Sequence, residues 1–162
     1  MNFLRSRTAP SFVEDAKTDD LTRLAEIHSR SFTHSWDEEE LSRLMDQAGV
    51  FVLVIRRPVA LGSRKVLGFI MIRTVAGEAE ILTIAVDPKN RGEGLARQLL
   101  REALFRLYSE RCEALFLEVD AANEPALKLY KSAGFRKVGE RKGYYRAAEG
   151  DGTALVMRAD LL

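Results

Sequence analysis

The sequence has a single cysteine, Cys112, so neither an intrachain disulfide framework nor a cysteine-based zinc cluster can be built from it. It has only two histidines, His28 and His34. His34 and Cys112 have no partner by spacing, and no metal is assigned. No apolar run approaches the ~18–20 residues of a membrane span, so no membrane partner is expected. Neither sign of charge is in excess: 25 Lys and Arg stand against 24 Asp and Glu, a net charge of +1. Direct nucleic-acid binding, which needs a basic surface, is therefore not expected. The opening Met1–Thr8 lacks the apolar stretch of a secretory signal. Residues 1–11 read as a flexible tail, and the expected location is cytoplasmic. Internal repeats and low-complexity segments are absent too.

What remains is the pattern of one globular domain, residues 12–162, in a chain of 162 residues. Phe12–Ala16 reads as a strand. Thr18 is placed to cap a helix whose apolar face is Leu21, Leu24, Ala25, His28 and Phe32, with His28 a core or edge histidine. Ser35-Trp36-Asp37-Glu38 has the form of a capping box ahead of a short helix through Leu41, Leu44 and Met45. Val50–Ile55, Val66–Val75 and Glu78–Val86 form an antiparallel meander, with Arg56–Lys65 as a long polar loop. Then Leu95, Leu99, Leu100, Ala103, Leu104 and Leu107 repeat at helical spacing. Ala114–Val119 is a strand, Asn123 caps another helix, Gly134 ends it, and Phe135–Arg141 with Thr153–Arg158 closes the fold. The class is α+β: a mixed, mostly antiparallel sheet flanked by helices.

The most informative stretch is Asn90-Arg91-Gly92-Glu93-Gly94-Leu95-Ala96-Arg97, directly after the strand Ile84-Ala85-Val86 and the turn Asp87-Pro88. A glycine-containing loop that opens a helix aims several backbone N–H groups at one point, and the helix dipole favours an anion there. Arg91, Arg97 and Arg101 add positive charge, whereas Glu93 opposes it, so its side chain is expected to face away. The loop is neither a Walker motif nor a dinucleotide fingerprint.

Arg91-x-x-Gly94-x-Ala96 matches the [QR]-x-x-G-x-[GA] signature of the GNAT acetyltransferase superfamily. The later Leu115-Phe116-Leu117-Glu118-Val119, Asn123, Ala126-Leu127, Leu129-Tyr130, Gly134-Phe135 and Gly143-Tyr144-Tyr145 resemble its RimI-like branch, the ribosomal-protein-alanine N-acetyltransferases. The resemblance spans roughly residues 12–158. It implies the GNAT acyl-CoA N-acyltransferase fold and acetyl-CoA as cosubstrate, held by the loop from Arg91 to Arg97, by the strand Ile84-Ala85-Val86 and by Asn123. It implies Glu118 as general base, directly or through water, and Tyr130 as proton donor to the departing thiolate. On residues alone, Glu118 reads as an edge-strand carboxylate facing water, Tyr130 as a core tyrosine and Asn123 as an N-cap.

Trp36, Tyr144 and Tyr145 are candidates for the acceptor groove. The resemblance points to direct transfer, in a ternary complex, to a protein N-terminal α-amine, with the alanine of a small-subunit ribosomal protein as acceptor. A small-molecule amine or internal lysine is the alternative within the superfamily, and a non-catalytic acyl-CoA sensor the alternative outside enzymes. Ser35-Trp36-Asp37 departs from the branch pattern where an acceptor would approach.

Overall fold

The computed structural model describes residues 9–143 and 152–162, with only the backbone of Ala60. Among the described residues, seven strands form one sheet: β1 (Phe12–Asp15), β2 (Val50–Pro58), β3 (Arg64–Val75), β4 (Glu78–Val86), β5 (Ala114–Asp120), β6 (Arg136–Arg141) and β7 (Ala154–Asp160). Their order is β1-β2-β3-β4-β5-β7-β6. All neighbours are antiparallel except β4 and β5, which run parallel because a helix intervenes between them. Four helices cover the sheet: α1 (Leu21–Ser31), α2 (Glu38–Met45), α3 (Leu95–Ser109) and α4 (Glu124–Ser132). The mixed sheet and flanking helices expected from the sequence are both present.

The alternation of each strand divides the core into two layers. Val52, Val54, Phe69 and Met71 pack with Leu24, Ile27 and Leu41 beneath α1 and α2. Leu53, Ile55, Ile70 and Ile72 pack with Leu99, Leu100, Ala103, Leu127 and Tyr130 beneath α3 and α4. No helix among the described residues is long and apolar enough to cross a membrane.

Three local expectations are corrected. Thr18 does not cap α1. It opens a 3₁₀ turn, Thr18–Asp20, and α1 follows with Asp20 at its N-cap position. Helix α2 is capped by Asp37, which accepts from the Glu40 N–H at 2.9 Å, and not by Ser35. The polar loop is shorter than Arg56–Lys65, because β2 runs on to Pro58 and β3 starts at Arg64. The two arginines stay in the strand because each finds a partner. Arg56 faces the α1 layer and clasps Asp20 with two bonds, 2.9 and 2.6 Å, while also bonding Glu14. Arg57 faces the opposite side and reaches Glu93.

Candidate active site

Strands β4 and β5 pair over only three residues each, Glu78–Glu80 against Ala114–Phe116. Beyond that they part. β4 continues through Ile81–Val86 alongside β3, and β5 continues through Leu117–Asp120 alongside β7. The parting coincides with a bulge. Met71 pairs with Thr83 and Ile72 with Ile81, which leaves Leu82 as an extra residue on β4. An extra residue bends its strand and strengthens the local twist. The result is a gap inside the sheet, bordered by an edge of β4 able to bond an extended chain as an added strand would.

The loop at the end of β4 is firmly held. The Asp87 carboxylate, 1% exposed, accepts from the Lys89 N–H at 3.0 Å and from Arg23 of α1 at 2.7 Å. Burial alone would push this carboxyl up, but the bonds from Arg23 and Lys89 outweigh it and hold it below the usual carboxylate range. Gly92 and Gly94 follow with φ of +80° and +77°, a region that side-chain-bearing residues rarely adopt, and nothing lies within 4 Å of either missing Cβ. Gly94 occupies the N-cap position of α3 without a side-chain cap. None of the N–H groups of Gly92 to Arg97 finds an acceptor among the described residues, whereas the next one, Gln98, bonds Gly94. Arg91, Arg97 and Arg101 are exposed, with no ion-pair partner among the described residues. Glu93, the one acid in the loop, is bound on both carboxylate oxygens: Arg57 reaches Oε1 at 3.2 Å and Asn90 donates to Oε2 at 2.9 Å. Uncapped donors, open space and surplus positive charge therefore converge where the sequence places an anion nest.

Glu118 and Tyr130 lie on opposite faces of the sheet. Leu115, Leu117 and Val119 of β5 point into the α3/α4 layer, so Glu118 points the other way, beside Val156 of β7. Its side chain is 32% exposed and paired with Arg141 at 3.4 Å. β5 is an interior strand, which corrects the edge-strand reading of Glu118. Tyr130, 6% exposed, sits in the α3/α4 layer and meets Phe135 edge-on at 5.6 Å. Two groups on opposite faces can serve one reacting centre only through an opening in the sheet, and the β4–β5 gap adjoins β5 where Glu118 stands. Asn123 is the N-cap of α4, accepting from the Ala126 N–H at 3.3 Å.

Trp36 lies in the α1–α2 connection. Its backbone N–H donates to His28 Nδ1 at 3.0 Å, and its ring stacks on the imidazole at 4.9 Å. His28 is 3% exposed, and burial pushes its pKa down to about 4, so it stays neutral and keeps Nδ1 as an acceptor. Tyr144 and Tyr145 lie outside the described residues. Sequence reasoning missed Arg57, Arg141 and Asp87 as neighbours of the site. Each acts on a residue 23 or more positions away or on its own turn, contacts that no periodicity announces.

A groove between the start of α1 and the β2–β3 hairpin is lined by Asp20, Arg23, Glu26, Arg56, Arg64 and Lys65. Most of its charges already neutralise one another, Arg56 with Asp20 and Arg23 with Glu26 and Asp87, so it offers less to a ligand than the gap.

The sequence model of the acetyltransferase (GNAT) family matches residues 21–135. The chain belongs to this family. It is 46% identical to the N-alpha-acetyltransferase RimI of Mycobacterium tuberculosis over 88 residues, which are 54% of this chain and 52% of that protein, so it spans about half of that relative. It is 32% identical to the putative [ribosomal protein bS18]-alanine N-acetyltransferase of Bacillus subtilis over 134 residues, 82% of this chain and 85% of that protein. The crystal structure of the ribosomal-protein-S18-alanine N-acetyltransferase from Escherichia coli superposes with a TM-score of 0.83 at 28% identity, covering 94% of each chain. The chain is thus a RimI-like GNAT enzyme, an acetyl-CoA-dependent N-acetyltransferase.

Proposed function

We propose that this enzyme transfers acetyl to the α-amine of a protein N-terminus, and that its acceptor is the N-terminal alanine of a small-subunit ribosomal protein, the substrate that the relatives' names give for those proteins. On this reading it works in the cytoplasm, where such acceptors are made. The observation that carries the proposal is the gap between β4 and β5, with Glu118 on one face and Tyr130 on the other.

The residues present fit acetyl-CoA. The free N–H groups of Gly92–Arg97 suit a diphosphate, and the open edge of Ile81–Val86 suits an extended amide-bearing arm. Bound there, the cosubstrate supplies an activated acyl thioester. N–H groups on the β4 edge then face a carbonyl oxygen on which negative charge develops. Glu118 binds the acceptor amine and takes its proton, directly or through a water, as the new N–C bond forms. Arg141, now paired with Glu118, yields its place to the incoming neutral amine. Tyr130 gives a hydrogen bond or its proton to the sulfur as the C–S bond breaks. Glu118 is a single carboxylate, a modest base. That suits an α-amine, about 10% neutral at pH 7, better than a lysine, about 0.04% neutral. Transfer is direct, in a ternary complex.

The test is a panel of defined peptides with acetyl-CoA, read by mass shift and site of modification, for wild type and Tyr130→Phe. Peptides beginning with alanine should be acetylated at the α-amine, and Tyr130→Phe should lower kcat about a hundredfold. Turnover on a polyamine or an internal lysine, with none on the peptides, overturns the acceptor. Unchanged activity in Tyr130→Phe overturns the role of the tyrosine, whereas binding of acetyl-CoA with no turnover on any amine favours a non-catalytic acyl-CoA sensor.

A further inference from the structure

Glu93 is the one residue of the loop whose charge opposes its proposed ligand, and the structure gives it a dedicated restraint. Arg57, at the far end of β2, lies 36 positions away in sequence. Its side chain is only 15% exposed, its Nη1 is 3.2 Å from Glu93 Oε1, and Asn90 Nδ2 holds the other oxygen at 2.9 Å. The placement is costly. Arg57 Nε is buried with no hydrogen-bond partner, and it is the only such side-chain atom among the described residues. A buried donor left without an acceptor is unfavourable, so the guanidinium is not there for its own satisfaction. Its neighbour shows the contrast: all three groups of donors on Arg56 that the structure places are bonded to Asp20 or Glu14.

We propose that Arg57, with Asn90, is a positioning residue for the cosubstrate site. It clamps the Glu93 carboxylate beside the loop and neutralises it, so that the loop can present the N–H groups of Gly92–Arg97 to a diphosphate without an opposing charge. The clamp also ties the loop to β2, and with Asp87 and Arg23 anchoring its start, it holds both sides of the two glycines. This inference rests on the proposed binding of acetyl-CoA at that loop.

A double-mutant cycle on the full-length enzyme tests it, with Kd for acetyl-CoA by titration calorimetry and KM and kcat from steady-state assay. Arg57→Met should weaken acetyl-CoA about three- to tenfold, the size expected for one partly exposed charge near an anion, while kcat and the acceptor KM stay within about twofold of wild type. In a Glu93→Gln background the same Arg57→Met change should cost less than about twofold, because nothing remains to be restrained. Asn90→Ala, which removes the bond to the other Glu93 oxygen at a half-buried position, should follow the same pattern more weakly. An equal loss in both backgrounds would show that Arg57 acts on the ligand or the fold, and overturns the clamp. So would no loss at all. If the wild-type enzyme binds acetyl-CoA but that binding is indifferent to Gly94→Val, the loop itself is not the site, and the underlying reading fails separately from the clamp.

Discussion

His28 shows how one side chain can fix a stretch of chain by what it does not do. Buried among Phe32, Trp36 and Phe69, it offers a lone pair to the Trp36 N–H, and it can do so only while neutral. Its pKa is pushed down to about 4 by burial, against 6.5 when unfolded. The sign follows: the unfolded chain binds the proton first, so the contribution is complete above pH ~6.5 and is lost as the pH falls towards 4. Its size is at most about 3 kcal/mol. Urea unfolding at pH 7.5 and pH 5 should therefore show a larger acid loss for wild type than for His28→Gln, which does not titrate. Equal losses would mean that other groups account for the acid sensitivity. The same residue defines what the sequence could reveal at this scale. Its place on an apolar helical face was readable from spacing, but its hold on Trp36 was not, because the connection turns back between them.

At the scale of elements, the arginine pair in β2 decides where a strand ends. Adjacent positive charges read as a loop, and the pattern Val50–Ile55 ended at them. The strand continues because Arg56 and Arg57 point to opposite faces and meet carboxylates from the start of α1, from β1 and from the α3 loop. Hydrophobic periodicity carries no information about partners so far along the chain. The same limit explains the caps: Thr18 and Ser35 have the right chemistry, but Asp20 and Asp37 hold the positions that the backbone turns select. Strand identities, the helices α3 and α4, Asn123 as a cap and Gly134 after the end of α4 were all legible, since each rests on local spacing or turn chemistry. Burial raises the Asp20 carboxyl, but its bonds from Arg56 and the Lys17 N–H prevail and hold it below the usual range. Asp20→Asn, which keeps the shape and removes the charge, should destabilise the protein by about 2–4 kcal/mol. Denaturant midpoints at constant m-value measure this. A change below 0.5 kcal/mol, the scatter of ordinary surface substitutions, would show that Glu14 alone suffices for Arg56.

For the whole molecule, the consequential feature is that the sheet is interrupted in its middle and not at its rim. The gap cannot be read from the sequence, because it depends on where two strands far apart in the chain stop pairing. The loop motif pointed to that neighbourhood, and the family resemblance added Ile84-Ala85-Val86, Glu118 and Tyr130 to it. If the cosubstrate lies along β4 as an added strand, acetyl-CoA should slow amide hydrogen exchange within Ile81–Val86 as well as in Gly92–Arg97. At a hundredfold excess over Kd it should also stabilise the fold by about 2.7 kcal/mol. Slowing confined to the loop would place the arm elsewhere.

That interruption bears on the lifetime of the protein as well as on its chemistry. With three paired residues on each strand joining β4 to β5, the sheet has a seam in its hydrogen bonding, and the α3/α4 core layer carries the join across it. A cosubstrate laid into the seam splices it. If acetyl-CoA lies there, the ligand-free enzyme should be cleaved faster in limited proteolysis than the enzyme saturated with acetyl-CoA, and equal rates would place the cosubstrate elsewhere.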